Sequence, residues 1–173
     1  MLRQAVIADL DSIEEGYKEH FAHEKAHGAY TVFREGVYPT RNTAESALRS
    51  GALYVYEENG AVMGSIILDR KQPDEYKKIK WRSGASDDKV NVIHLLMVRP
   101  RAAGKGIGTA LVNYALDIAK ERSCTAVRLD TGEQNIPAVS LYTKLGFRLI
   151  AASQMRVGGA IFHGKHLFFE KIF

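Results

Sequence analysis

The chain has 173 residues, 46% hydrophobic and 25% charged, a composition that suits one globular domain with a real core and excludes a disordered polymer. Cys124 is the only cysteine, so no intramolecular disulfide forms, and no apolar run approaches the roughly 18 residues of a transmembrane helix. The net charge of +4 suits an anionic ligand, but the lysines and arginines are scattered and make no stripe of the kind nucleic acid requires.

Residues 2–7 alternate weakly and predict an edge strand. Asp9 or Asp11 then caps a helix that carries Leu10, Ile13, Tyr17 and Phe21 on one face and ends before Gly28. His20, His23 and His27 recur at helical spacing, but no carboxylate or cysteine ligands of set geometry accompany them, so they read as solvated and no metal is expected. Residues 28–42 hold Tyr30, Phe33, Tyr38 and Pro39 without periodicity and form a long connection, its aromatics serving either the core or a substrate pocket. Asn42 or Thr43 caps a short helix to about Ser50, with Gly51 as its exit. Two strand-like runs, 53–57 and 62–68, flank Asn59-Gly60, a strong hairpin signal. Residues 69–91 are polar and irregular, a mobile or inserted loop whose aromatics are Tyr76 and Trp81.

Val92 to Val98 is a short apolar run closed by Arg99-Pro100, which reads as a buried strand because proline cannot donate to a ladder. Gly104, Gly106 and Gly108 follow at alternate positions, and Ile107, Leu111, Ala115 and Ile118 or Ala119 then share a helical face. Strand, glycine turn and helix together make an anion-binding device. The first amides of a helix lack partners, its start carries partial positive charge, and glycine clears the space a phosphate needs. A nucleotide P-loop is excluded, because the position five residues before Gly104 is Arg99 and the residue after Lys105 is Gly106. The dinucleotide fingerprint fails as well, since its third glycine would fall on Thr109 or Leu111.

After Cys124, read as a buried structural thiol, residues 125–130 form a strand. The segment Asn135 to Phe147 is a short helix with punctuated ends: Asn135 caps it, Pro137 sits in its first turn and Gly146 supplies the left-handed exit. Ala138, Leu141, Tyr142 and Leu145 share a face. Residues 147–157 and 161–172 form a last strand pair around Gly158-Gly159, and His163 and His166 near its start receive no role. With no repeats, low-complexity tracts or linkers, residues 1–173 are expected to be one domain, in the cytoplasm since the N-terminus shows no signal-peptide pattern.

Two of these segments resemble the GNAT family of N-acetyltransferases. The glycine stretch is similar to its Gln/Arg-x-x-Gly-x-Gly/Ala loop, with Ala103 at the Gln/Arg position. Asn135 to Phe147 is similar to its Asn-x-x-Ala-x-x-Leu-Tyr-x-x-x-Gly-Phe motif. The resemblance, firm from about Val92 to Phe147, implies a mixed α/β fold, a mostly antiparallel twisted sheet with flanking helices whose fourth and fifth strands splay to admit acetyl-CoA. It further implies that backbone groups of Leu96, Met97 and Val98 pair with the pantetheine arm, which Asn135 and Ala138 border. The loop from Ala103 through Gly104, Lys105, Gly106, Ile107, Gly108 and Thr109 would hold the pyrophosphate, with Arg101 as a nearby charge. Tyr142 would give a proton to the departing thiolate.

His94 lies four residues before Val98, where related aromatic-amine acetyltransferases carry a catalytic histidine, and an imidazole that titrates near neutrality suits a base. The alternative is a histidine satisfied by a backbone group within an apolar strand. Asp130 and Glu133 are further candidates for the base or for acceptor recognition. The expected activity is acetyl transfer to a primary amine of a small molecule, protein or peptide by direct attack in a ternary complex. The rival is a non-catalytic acyl-CoA-binding sensor on the same scaffold. No nucleic acid or membrane partner is expected, and a homodimer is left open.

Overall fold

In the computed structural model, which describes all 173 residues, the elements are β1 (Leu2–Gln4), α1 (Leu10–His27), α2 (Arg41–Arg49), β2 (Leu53–Glu58), β3 (Ala61–Asp69), β4 (Val90–Val98), α3 (Ile107–Glu121), β5 (Ala126–Gly132), α4 (Ile136–Lys144), β6 (Arg148–Val157) and β7 (Ile161–Ile172). The strands make one seven-stranded sheet in the order β1-β2-β3-β4-β5-β7-β6, antiparallel at every pairing except β4 with β5. A parallel pair needs a crossover, and α3 provides it.

Helices cover both faces. On one, Leu10, Ile13, Tyr17 and Phe21 of α1 pack with Ala44 and Ala47 of α2 against Leu53, Val55, Val62, Ile67, Leu95 and Met97. On the other, Ile107, Leu111, Val112 and Ala115 of α3 and Tyr142 of α4 meet Ile66, Leu68, Ile93, Val127, Leu129 and Phe169. Each fully buried leucine or isoleucine in these layers contributes about 1.5–3 kcal/mol. Gly64 lets α3 approach β3: a Cβ there would stand 2.9 Å from Leu111 Cδ1 and 3.1 Å from the Met97 carbonyl oxygen.

Several expectations from sequence are corrected. The residue 2–7 run is a strand only to Gln4, because Asp9 accepts the Val6 N–H and draws the chain into a 3-10 turn. Asp9 precedes α1 but makes no side-chain cap to it; its carboxylate is clamped by Arg3 at 2.7 and 2.8 Å instead. The cap of α2 is Thr40 rather than Asn42 or Thr43, and the Thr40 N–H donates to Thr43 Oγ1 at 3.0 Å.

The loop between β3 and β4 is built into the fold. Tyr76 is completely buried, and with Trp81 it covers Val90, Val92, Ala126 and Phe168 on the half of the sheet that α1 does not reach. Trp81 donates from Nε1 to the Tyr76 carbonyl at 2.9 Å and lies under the Arg128 guanidinium. That guanidinium is paired with buried Glu170 at 3.1 Å, and Glu170 in turn accepts the Arg82 and Ser83 amides of the loop. Polar residues here act as anchors, which is why the segment reads as irregular although it is packed.

Candidate active site

β4 and β5 pair only from Val90–Ala126 to Ile93–Leu129, after which they part. At the point of parting β4 carries a bulge. Its partners on β3 run Leu95 to Ile67 and then Ile93 to Leu68, so His94 is an extra residue with no opposite number. The bulge resets the alternation: Val92, Leu95 and Met97 face the α1 side, while Ile93, Leu96 and Val98 face α3.

Beyond the bulge the backbone has a free edge. The Arg99 N–H bonds to the Met63 carbonyl at 2.9 Å, so by antiparallel alternation Met97 also turns its polar groups to β3, and Leu96 and Val98 turn theirs to the gap. The sequence expectation therefore divides. Leu96 and Val98 present hydrogen-bonding groups to the gap; Met97 does not, and its side chain is buried against α1.

Past Val98 the chain turns at Arg99, whose buried guanidinium bonds the Val62 carbonyl, Ser12 and Glu19 and ties β4 to α1. Gly104 and Gly106 then take φ of +77° and +79°, and a Cβ on either would meet no protein atom within 4 Å. None of the amides from Gly104 to Thr109 donates to an acceptor in the protein; the first bond of the α3 ladder is Ala110 N–H to the Gly106 carbonyl. Consecutive unengaged amides at a helix start, with open space where side chains would stand, fit a pyrophosphate. Gly108 is closer packed, since a Cβ there would lie 3.4 Å from Leu141 Cδ2. Ala103 is exposed at the rim, and Arg101 lies 3.8 Å from Glu19.

Opposite the loop, the Asn135 side chain accepts the Ala138 N–H at 3.3 Å and caps α4, which ends where Gly146 takes φ of +83°. The α4 face holds Tyr142 against Phe147 and Phe169. Its hydroxyl has no hydrogen-bond partner in the protein, and burial with the nearby Asp130 charge pushes the phenol far up, so it keeps its proton.

A cleft of about 610 Å³ runs from the glycine loop between the splayed strands to the C-terminal half of α1. One end is lined by Val98, Gly104, Gly106, Gly108, Asn135, Ala138 and Tyr142; the other by His20, Tyr30, Phe33, His94, Asp130 and His166. Residues 30–33 thus contribute to the cleft wall, and Phe33 and Tyr38 also pack on the core. The solvated reading of His20 is wrong. It is 1% exposed, 3.4 Å from Glu24, and edge-on to Tyr30 and Phe33, whereas His23 is half-buried at the rim of the cleft and stacks on exposed His27.

His94 places Nε2 2.7 Å from Asp69 Oδ1, so a carboxylate satisfies it and not a backbone group. Asp130 lies at the end of β5, its Oδ1 accepting the Tyr76 hydroxyl at 2.7 Å and its Oδ2 3.5 Å from His166 Nε2. Burial raises its carboxyl to about 6. Glu133 is turned away from the cleft, 3.8 Å from Lys165. Sequence reading missed Asp69, Tyr76, His163 and His166. The first lay at the edge of a supposed loop, and the spacing of the two histidines puts them on opposite faces of a regular strand.

The fold defined by this splayed sheet and its glycine-loop helix is that of acyl-CoA N-acyltransferases. An acetyltransferase (GNAT) family structure from Streptococcus agalactiae 2603 superposes with a TM-score of 0.80 at 20% identity, covering 100% of this chain and 95% of that one. A Salmonella typhimurium protein solved with its cofactor acetyl-CoA superposes with a TM-score of 0.70 at 21% identity, over 99% of this chain and 92% of the other. The family model described as Acetyltransferase (GNAT) family matches residues 10–147, and the chain belongs to that family. An uncharacterized N-acetyltransferase of Methanocaldococcus jannaschii is 36% identical over 94 residues, 54% of this chain and 38% of the relative. The chain spans less than half the length of the curated relatives it matches. No helix is long and apolar enough to cross a membrane.

Proposed function

We propose that this chain is an acetyl-CoA-dependent N-acetyltransferase that acts on a primary amine of a small molecule, protein or peptide by direct attack in a ternary complex. The observation that carries this reading is the convergence on one cleft of the unengaged Gly104–Thr109 amides, the partnerless Tyr142 hydroxyl, and the His94 and Asp130 side chains. The amides would hold the pyrophosphate, and Leu96 and Val98 would pair with the pantetheine arm along the free edge of β4. Acetyl-CoA supplies the thioester when bound.

The protein's own groups then handle protons. Tyr142 keeps its hydrogen at neutral pH and offers it as a donor where negative charge develops. Asp69 is an acceptor when ionised, so His94 carries its hydrogen on Nε2 and has a lone pair on Nδ1, the base required to take a proton from the attacking nitrogen. Residues 1–173 act as one domain in this reading, in the cytoplasm.

The test is thiol release from acetyl-CoA with a panel of amines: phenethylamine, spermidine, amino-acid amides and peptides with a free N-terminus. Release with at least one class, reduced in Tyr142→Phe, is the expected result. A protein that binds CoA yet releases no thiol with any amine would instead be an acyl-CoA-binding sensor.

A further inference from the structure

At the acceptor end of the cleft a second chain of titratable groups leads away from the His94–Asp69 pair. In a regular strand residues 163 and 166 point to opposite faces. β7, however, carries a bulge: its partners on β6 run from His166 with Ser153 to His163 with Met155, three residues against two. The extra residue returns both histidines to one face, and their Nδ1 atoms lie 2.7 Å apart. His166 stands opposite Gly132 of β5, which has no side chain, and its Nε2 reaches to 3.5 Å from Asp130 Oδ2, two positions along the same face of β5. Asp130 and His166 line the cleft; His163 is partly exposed beyond them.

We propose that Asp130 is a catalytic residue that receives the proton of the acceptor's ammonium group, and that His166, backed by His163, is a positioning residue that holds its carboxylate. The proposal rests on the acetyltransferase reading above and assigns that site a recognition element for a cationic amine. The acceptor N–H bond breaks with its electron pair left on nitrogen, and an O–H bond forms on Asp130. The ionised carboxylate is an acceptor, so His166 turns its Nε2 hydrogen towards it and accepts the His163 Nδ1 hydrogen on its own Nδ1. Once the amine has reacted, Asp130 gives its proton to water in the cleft. Charge balances, since the ammonium ends neutral, Asp130 returns to carboxylate and the proton enters solvent. His94 is then left for the second proton, lost as nitrogen bonds to carbon.

The surroundings of Asp130 support the role. Tyr76 donates to it from the β3–β4 loop, and Tyr142 of α4 and Tyr38 of the residue 28–42 segment both feel its charge. His94 on β4 lowers its carboxyl and Glu75 raises it, with burial the largest influence and the net result about 6. Burial and the neighbouring His163 lower His166 to about 4, which keeps that ring neutral and able to accept on one nitrogen while donating from the other.

One measurement needs no acceptor. Side-chain nitrogen NMR of the histidines at pH 7 should show His166 with its hydrogen on Nε2 and His163 with its hydrogen on Nδ1, and Asp130→Asn should move the His166 Nε2 signal. A His166 hydrogen on Nδ1 that ignores Asp130→Asn overturns the proposal. The second uses acetyl-CoA with phenethylamine. Asp130→Asn should lower kcat by about 10²-fold and remove the acidic limb near pH 6, with the CoA-induced thermal shift retained. His166→Gln and His163→Ala should each lower kcat by about tenfold, and free imidazole should restore His163→Ala by standing in for the lost ring. Variants that keep the CoA shift and an unaltered pH profile, with no response to imidazole, overturn the proposal. If the unaltered protein releases no CoA with any amine of the panel, acetyl transfer is what fails, and the nitrogen NMR alone judges how Asp130 is held.

Discussion

His94 and Asp69 meet across the bulge of β4 with Nε2 and Oδ1 2.7 Å apart, and this contact fixes which imidazole nitrogen is free. Burial pushes the Asp69 carboxyl up, but the hydrogen bond and charge of His94, with the Lys71 amide, more than reverse this and hold it below the ordinary range. Asp69 is therefore a positioning residue. Asp69→Asn should lower kcat by about 10- to 100-fold with little change in KM for acetyl-CoA, because the amide no longer selects the tautomer. A shift confined to KM would mean that Asp69 shapes binding alone.

Tyr142→Phe keeps the edge-on packing against Phe147, whose ring centroid is 5.7 Å away, and removes only the hydroxyl. The expected result is a fall in kcat of about 10² to 10⁴ with CoA affinity unchanged, the usual worth of a positioned donor. Steady-state kinetics beside a CoA titration checks it, and loss of CoA binding would reassign the residue to the packing of α4.

Gly106→Val places a branched side chain in the open space beside the unengaged amides and strains a backbone held at φ of +79°. CoA should raise the Tm of the unaltered protein and not that of the variant, since only a ligand bound to the folded state stabilises it. Ala103→Arg tests the register of the same loop. It projects a guanidinium from an exposed rim position, so CoA affinity should hold or tighten. A large loss of affinity would misplace the phosphate.

Asp130→Asn has a consequence for stability opposite to its effect on rate. The carboxyl ionises at 3.8 in its ordinary setting and at about 6 when buried here, so between those values the folded chain holds the proton more tightly than the unfolded one. The stability this contributes is fully present below pH 3.8 and is lost as pH rises through about 6, a difference on the order of 3 kcal/mol. Asparagine can still accept from Tyr76 without carrying charge. Its Tm should exceed that of the unaltered protein at pH 7–8 by about 6–12 °C and approach it near pH 4. An equal Tm across the range would mean that water reaches the carboxylate.

Local signals carried the glycine loop and α4 because each is written in adjacent residues: Gly104 and Gly106 at positive φ, Asn135 as a cap, Gly146 as an exit. The acceptor end was hidden because its parts come from distant segments. The run Val-Asn-Val-Ile-His-Leu-Leu-Met-Val is apolar towards both faces, so no alternation could reveal that His94 is an extra residue. The bulge of β7 concealed the His163–His166 pair in the same way. Tyr76 looked like a stray aromatic because its partners, Asp130 and Phe168, lie more than fifty positions on. His20 read as solvated because the Tyr30 and Phe33 contacts that enclose it form only when the chain folds back after Gly28.

The unmatched residue of β4 makes that strand a splice between two reading frames of side-chain direction. Upstream, Val90 and Val92 keep step with the layer under Tyr76; downstream, Leu95 and Met97 keep step with α1 although they are of opposite parity. Pairing the same residues as a regular strand, with no residue left over, would turn Leu95 and Met97 to the α3 side and drive Leu96 and Val98 under α1, whereas removing His94 would straighten the strand and leave every apolar side chain on its present face.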